Sequence, residues 1–146
     1  MRKTYLSAAL LTASFQITAG TCPQFQKTYQ DCHSRSMIEA FQVSRVDVVD
    51  TMKAFEFIIK ARYETKHLKF TTNGLPEEVN LPNEEGIPVP YVQTAHCVDD
   101  RIHLTIQDED HFGKESYEFF PKAGNLTMKT YLNSVLINEV ICKTTE

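Results

Sequence analysis

Residues 91–107, YVQTAHCVDDRIHLTIQ, alternate between apolar and polar side chains on both sides of the dipeptide Asp99-Asp100. When the two halves fold back on each other around this dipeptide, position 97 pairs with 102, 95 with 104 and 93 with 106. A shift of one residue would mix apolar and polar side chains on each face, so the pattern fixes its own register. The stretch therefore predicts an antiparallel β-hairpin with one buried face. That face comprises Cys97, Ile102, Ala95, Leu104 and Ile106, with Gln93 at its end.

The next segment along the chain satisfies the same test. Residues 115–121 can fold back on residues 126–132 across a four-residue turn that contains Gly124. Apolar residues then meet on one face and opposite charges meet on the other, which favours the pairing. The expected pairs are Phe119 with Met128, Tyr117 with Thr130, and Glu118 with Lys129.

A third hairpin is expected where residues 135–143 return along the strand before them. Val135 and Ile137 are expected to point to the core, but strict alternation would then bury Glu139. A β-bulge near residues 138–139 avoids this burial. The residues that the bulge would bring to the core side are Val140 and Cys142.

The N-terminal half is also expected to form strands. The alternation in residues 55–63 predicts a strand, and residues 67–72 repeat it before the turn signal Asn73-Gly74. Residues 38–49 combine two periodicities, and we expect a strand because β-branched residues dominate them. Residues 25–35 complete the set as the first strand.

Residues 75–90 contain four prolines and four glutamates. Because proline cannot donate a hydrogen bond to a sheet, we expect a long surface loop here, either a lid or a solvated connection. The remaining segments give about eight antiparallel strands with mostly short turns. A meander of this kind protects its edges by closing into a barrel or folding into a barrel-like sandwich. The predicted fold class is therefore all-β.

Residues 1–20 have the three-part design of a secretory signal peptide. Arg2 and Lys3 form the positive start, residues 5–17 are mostly apolar, and residues 18–20 are small. The apolar run is shorter than the roughly 20 residues that a membrane span needs. The alternative is an amphipathic N-terminal helix of an intracellular domain.

The predicted organisation is a signal peptide in residues 1–20 and a single β domain in residues 21–146, exported to the periplasm or secreted. A lipid anchor on Cys22 is disfavoured because Ala19 and Thr21 differ from the residues usual at such a site. Removal of the signal would change the net charge from −4 to −6, since the segment carries two positive charges and no acidic residue. An acidic surface argues against nucleic acid and anionic lipid as partners. We expect no later membrane span, and a monomer.

All four cysteines lie beyond the expected cleavage site. An even number of cysteines in a small exported domain predicts two disulfides. We favour Cys22 with Cys32 and Cys97 with Cys142, because Cys97 and Cys142 are expected on the same side of the sheet; the other two connectivities stay open. A Cys/His metal site would need spacings such as C-x2-C, which the sequence lacks.

The first residues of the expected mature chain resemble the start of a family of small exported bacterial proteins with four cysteines. The residues that carry this resemblance are Cys22-Pro23-Gln24-Phe25, followed by Tyr29 and Cys32. Further short motifs fit that pattern: Ala95-His96-Cys97, Ser116-Tyr117, Gly124-Asn125-Leu126 and Cys142-Lys143. The family is uncharacterised, so the resemblance implies export and disulfides but no activity. The chain is also similar to lipocalin-like barrels, which begin with a short turn and continue as an up-and-down meander. That similarity implies a barrel architecture.

Two histidines are the candidate metal ligands. The hairpin register sets His96 and His103 opposite each other on the polar face, with Cβ atoms roughly 5 Å apart. Two imidazoles at this distance could share a transition metal if a third ligand arrived, and Asp99, Asp100 and His111 are nearest in sequence. The alternative is a pair of exposed histidines without a function.

The sequence gives little support for catalysis. Ser34 and Ser116 lack the G-x-S-x-G context of a nucleophile elbow, and the cysteines are expected to be oxidised. The inner face is instead rich in apolar and aromatic residues, which would either line a pocket for an apolar ligand or form an ordinary packed core. These candidate lining residues are Phe55, Phe57, Phe70, Tyr91, Tyr117, Phe119 and Met128.

We therefore expect a non-enzymatic exported binding module for an apolar small molecule, without a cofactor. The alternative is a protein-interaction or enzyme-inhibitor domain of the bacterial envelope, with residues 75–90 and 108–113 as its contact loops. An interior cavity with an open mouth would favour the first function, and a filled core would favour the second.

Overall fold

The computed structural model describes residues 21–35, 42–51, 54–108 and 113–145, and these form an antiparallel all-β fold. No helix within these ranges is long and apolar enough to cross a membrane. The expected signal segment, residues 1–20, lies outside the described part. The ten strands of the described ranges are β1 (Thr28–Ser34), β2 (Val43–Asp50), β3 (Phe55–Ala61), β4 (Thr65–Phe70), β5 (Glu77–Pro82), β6 (Pro88–Val98), β7 (Arg101–Asp108), β8 (Lys114–Lys122), β9 (Asn125–Leu132) and β10 (Val135–Thr144).

The strands form one sheet in the order β4-β3-β2-β1-β10-β9-β8-β7-β6-β5. The first and last strands pair with each other, so the two edges are β4 and β5, which follow each other in the chain. The sheet curls into a half-barrel. The curl brings β3 and β8, which are separated by four strands in the sheet, close enough for the rings of Phe57 and Phe119 to stack with centroids 4.0 Å apart. The predicted all-β, barrel-like architecture is confirmed.

Gln93, the polar exception on the predicted apolar face of β6, joins the two edges of the curl. Its side chain is buried, and its Nε2 donates to the carbonyl of Lys69 on β4 at 2.8 Å and to Glu77 on β5 at 2.9 Å. A buried amide is stable only when hydrogen-bonded, and here its partners come from both edge strands. Gln93 therefore helps to hold the edges together.

The registers predicted for the two central hairpins are confirmed. Residue 95 pairs with 104 and 97 with 102 between β6 and β7, and residue 119 pairs with 128 between β8 and β9. Both residues of the turn Asp99-Asp100 have positive φ, 51° and 58°. Two such residues match the right-handed twist of the flanking strands and close a tight hairpin. The positive φ values of Ala123 and Gly124 do the same for the next hairpin.

The expectation of a long loop in residues 75–90 is wrong. β5 lies within this segment and pairs with β6 over its whole length. Pro82 and Pro88 face each other at the end of the pair, where the ladder ends. Prolines are tolerated there and on an edge strand, because one side of the strand needs no backbone donor.

The start of β10 also differs from the expectation. A register shift between Leu136 and Asn138 confirms a bulge close to the predicted place, and Val140 is buried beyond it. The prediction that Val135 points inward is wrong, since it is 64% exposed, whereas Ile137 lines a cavity although it remains 39% exposed. The bulge turns Asn138 into the interior instead.

The four cysteines form two disulfides, but the pairing that we favoured is wrong: the bonds join Cys22 to Cys97 and Cys32 to Cys142. The pairing depends on the order of strands in the sheet: β1 lies beside β10, and this places Cys32 next to Cys142. Residues 21–27 instead reach the end of β6.

This N-terminal segment fills one end of the half-barrel, here called the closed end. Phe25 packs edge-on against Phe55 and Phe57, with ring centroids 6.1 and 5.3 Å apart. The backbone N–H of Gln26 donates to the hydroxyl of Tyr29 at 2.8 Å. The Cys22–Cys97 bond ties the segment down. The opposite end, where the β3–β4 and β9–β10 turns lie, is called the open end.

Replacing both Cys22 and Cys97 with alanine is expected to lower the free energy of unfolding by about 2–4 kcal/mol, since the bond closes a long loop of the unfolded chain. Urea unfolding of the variant and the parent protein measures the difference. Proteolysis without reduction supplies the control, because it should release a fragment that contains Cys22 linked to Cys97. A fragment that links Cys22 to Cys32 would contradict the structure.

Candidate ligand-binding cavity

A cavity of about 70 Å³ opens at the open end of the half-barrel, between the inner faces of β2, β3, β4, β8, β9 and β10. The aromatic cluster of Phe57 and Phe119 lies next to it along the strands, since Ile59 and Tyr117, which line the cavity, are each two residues from these rings on the same strand face. The apolar lining residues are Val43, Ile59, Ala61, Met128 and Ile137. The polar lining residues are Glu64, Lys66, Glu115, Tyr117, Thr130 and Asn138.

Strand alternation places two opposite charges inside this end of the sheet. Lys66 is in phase with the buried Leu68 on β4, and Glu115 is in phase with the buried Phe119 on β8. Both residues stand at inward positions near the strand ends, where the aromatic core has ended. Their Nζ and Oε1 atoms lie 2.9 Å apart across the interior. This ion pair connects β4 to β8.

Tyr117 completes a closed polar cluster with this ion pair. Its hydroxyl donates to Glu115 Oε1 and contacts Lys66 Nζ. Burial raises the pKa of the Tyr117 phenol well above its ordinary value, and the Glu115 carboxylate raises it further, both as a charge and as a hydrogen-bond acceptor. The phenol therefore stays neutral and acts as a hydrogen-bond donor to Glu115.

Asn138 differs from this cluster because its side-chain oxygen lacks a hydrogen-bond partner. It is only 6% exposed, it lines the cavity, and its Oδ1 has no hydrogen-bond partner among the described residues. A buried acceptor without a partner costs roughly 1–3 kcal/mol. The cavity thus contains one buried acceptor that is not satisfied by the protein.

The predicted lining residues divide into two groups. Tyr117 and Met128 line the cavity. Tyr91 is half-buried at the edge of the core. The other four are buried in the aromatic cluster beneath the cavity and fill that half of the interior: Phe55, Phe57, Phe70 and Phe119.

Sequence reasoning missed the polar residues of the cavity, Lys66, Glu115 and Asn138. A signal was present for the first two, because each continues the alternation of a buried face. Asn138 lies at the bulge, where alternation breaks, so the pattern assigned it no face.

The candidate metal ligands His96 and His103 face each other on the outside of the sheet, with nearly parallel rings whose centroids are 5.4 Å apart. Burial lowers the pKa of His103 below its ordinary value. The Glu118 carboxylate raises this pKa in part, whereas His96 and Arg101 lower it. His111 lies outside the described residues. Within the described ranges no group of three or more His, Cys, Asp or Glu residues could hold a metal ion, and metal binding by this pair stays a prediction.

Solved structures with the same fold include lipid-binding proteins. Apo lipid binding protein 8 of Caenorhabditis elegans matches with a TM-score of 0.54 and 12% identity, over 70% of this chain and 72% of that chain. Fatty-acid-binding protein 1 of Echinococcus granulosus matches with a TM-score of 0.54 and 11% identity, over 70% and 74%. A Schistosoma mansoni fatty acid binding protein in complex with arachidonic acid matches with a TM-score of 0.54 and 9% identity, over 71% and 73%. At this identity the similarity shows the fold alone.

No protein-family model and no curated protein matches the sequence. The barrel resemblance is therefore supported by structure, whereas the resemblance to small exported bacterial proteins stays a prediction.

Replacing Tyr117 with phenylalanine is expected to reduce the loss of stability at high pH. The folded state holds the phenol proton more tightly than the unfolded state, so the free energy of unfolding falls as the pH rises above about 10, the pKa of an ordinary tyrosine. Urea unfolding between about pH 9 and about pH 11 measures the slope, which should be shallower in Tyr117→Phe.

The matched control is Tyr63→Phe, because Tyr63 is 72% exposed. Tyr29, whose pKa burial also raises, leaves part of the slope in both variants. Equal slopes in Tyr117→Phe and Tyr63→Phe would contradict the prediction.

Proposed function

We propose that this protein is a non-enzymatic binding module that takes one end of an apolar small molecule into the cavity at the open end. The observation that carries the proposal is the cavity itself, which is open to solvent, has apolar walls and contains a few polar groups at fixed positions. Ligand sites in proteins combine these features, because apolar contact supplies the affinity and a few polar groups set the orientation.

The size of the cavity limits what enters it. Its 70 Å³ is well below the roughly 300–1,000 Å³ of sites that enclose a whole drug-sized ligand. Even a cavity that holds benzene measures about 150 Å³. Only the narrow end of a chain-like molecule fits, and the rest of the ligand lies outside the mouth.

An apolar surface is available beside the mouth for the rest of the ligand. The tip of the β9–β10 hairpin exposes Val135 and Leu136, and Ile137 connects the tip to the cavity lining. Exposed apolar residues grouped at one place mark contact surfaces. An alkyl chain that leaves the cavity would cover them.

The similarity in fold supports this proposal. Several structures with the same fold carry fatty acid or lipid binding in their names, so this architecture is compatible with an apolar ligand between its strands. In this chain the aromatic cluster fills the half of the interior that lies towards the closed end.

We further propose that the protein acts outside the cytoplasm, in the periplasm or after secretion. Two disulfides are typical of proteins from oxidising compartments. The signal-like residues 1–20 support the same location.

A second candidate function is protein interaction, and the filled half of the interior favours it. In that case the exposed apolar tip of the β9–β10 hairpin would contact a protein. The β5–β6 hairpin, which replaces the expected contact loop, exposes Ile87 at the same end. The two functions differ in whether the cavity takes up a small molecule.

The proposed function predicts that a straight-chain amphiphile enters the cavity. We expect 1-hexanol, hexanoate or both to shift the methyl signal of Met128, which lines the cavity and is buried. Nuclear magnetic resonance of protein labelled with ¹³C-methyl methionine measures the shift, and Met128→Leu assigns the signal.

Two variants test the site. Ala61→Leu places additional carbon atoms at the cavity and should weaken the binding of either probe at least about tenfold, since Ala61 lines the cavity and the longer side chain takes space that the ligand needs. Thr94→Leu is the control, because it adds similar bulk at a half-buried position on the outer face. Native mass spectrometry of protein recovered without refolding should show added mass that is lost on denaturation. A Met128 signal that neither probe moves, together with a bare polypeptide mass, would rule out the ligand-binding function.

A further inference from the structure

We infer that the part of the ligand that enters the cavity is an uncharged hydrogen-bond donor, of which an alcohol hydroxyl is the simplest, and not a carboxylate. The inference rests on the proposed function and names the chemistry that the site selects. It follows from the buried acceptor on Asn138 and from the charges around the cavity.

Asn138 and Thr130 form a small polar site inside the apolar walls. They are direct partners across the β9–β10 pair, both are buried, and both line the cavity. The Oδ1 of Asn138 can accept a hydrogen bond but receives none from the described residues. The hydroxyl of Thr130 can donate or accept. Because Asn138 Oδ1 is shielded from solvent, the amide must turn slightly towards the cavity to accept from an alcohol, whose own oxygen then accepts from Thr130.

The charges disfavour a carboxylate in the same position. The cavity is lined by two carboxylates, Glu64 and Glu115, and by one ammonium group, Lys66. Lys66 already pairs with Glu115 at 2.9 Å, and the Tyr117 hydroxyl already donates to Glu115. A carboxylate would enter a site of net negative charge whose cation is engaged, and it would present only acceptors to Asn138 Oδ1. Like charges at short range repel each other, which disfavours the carboxylate.

A bare hydrocarbon end would fit the walls but leave Asn138 unsatisfied. The loss of one neutral hydrogen bond weakens binding by about three- to tenfold. We therefore expect the cavity to bind the alcohol with a higher affinity than the hydrocarbon or the carboxylate.

The test compares 1-hexanol with hexanoate at neutral pH, with the Met128 methyl signal as the readout. We expect 1-hexanol to bind at least about tenfold more tightly. In Asn138→Ala, which removes the acceptor without narrowing the cavity, the binding of 1-hexanol should weaken by about three- to tenfold while the binding of hexanoate does not weaken. Thr130→Val, which keeps the shape of the side chain, should act in the same direction.

Urea unfolding checks that the variants fold. Asn138→Ala removes a buried acceptor that lacks a partner, so only a small change in stability is expected. The outcomes separate the two proposals. Equal binding of both probes, or tighter binding of hexanoate, overturns the inference and leaves the proposed function intact. An affinity for 1-hexanol that is unchanged in Asn138→Ala also overturns it, because the alcohol then makes no hydrogen bond to Asn138 Oδ1. If neither probe binds, the proposed function fails first.

Discussion

The contact between Phe57 and Phe119 is the interaction on which the rest of the structure depends. Their strands, β3 and β8, are separated in the sheet by β2, β1, β10 and β9. Two rings at a centroid distance of 4.0 Å can join such distant strands only if the sheet curls. Stacked aromatic rings combine a large buried apolar area with a preferred geometry, so they can hold the curl in one shape. The approach of the edges and the cavity both follow from it.

The cavity arises because the inner face changes along the length of the strands. Near the closed end the inward positions carry large aromatic residues, and Phe25 adds one more from the N-terminal segment. Near the open end the inward positions carry smaller residues, Val43 and Ala61, or the polar pair Lys66 and Glu115. The same curl that packs the aromatic rings therefore leaves space above them. The cavity is therefore a consequence of the decrease in side-chain size from the closed end to the open end.

The polar groups of that space fall into two sets that differ in their hydrogen bonding. The Lys66–Glu115 pair links β4 to β8, and Tyr117 is bound into the same cluster, so these groups stabilise the walls. Asn138 stands apart because the bulge in β10 turns it inward without a partner. A bulge that re-aims one side chain next to a cavity is a frequent feature of binding sites in sheets. Fold similarity indicates the architecture, whereas the polar character of the cavity depends on these few residues.

The sequence by itself determined the all-β class and the registers of the β6–β7 and β8–β9 hairpins. Each register depends on alternation and on a short turn, which are properties of neighbouring residues. The alternation of apolar and polar residues also indicates that Lys66 and Glu115 point inward. It does not indicate that these two side chains form an ion pair across the interior. The tertiary structure alone decided that β5 forms in a proline-rich segment, that Cys22 bonds to Cys97, and that a cavity remains. The physical reason is range: local pattern assigns a residue to a face of its strand, but which distant faces meet depends on the curl of the whole sheet.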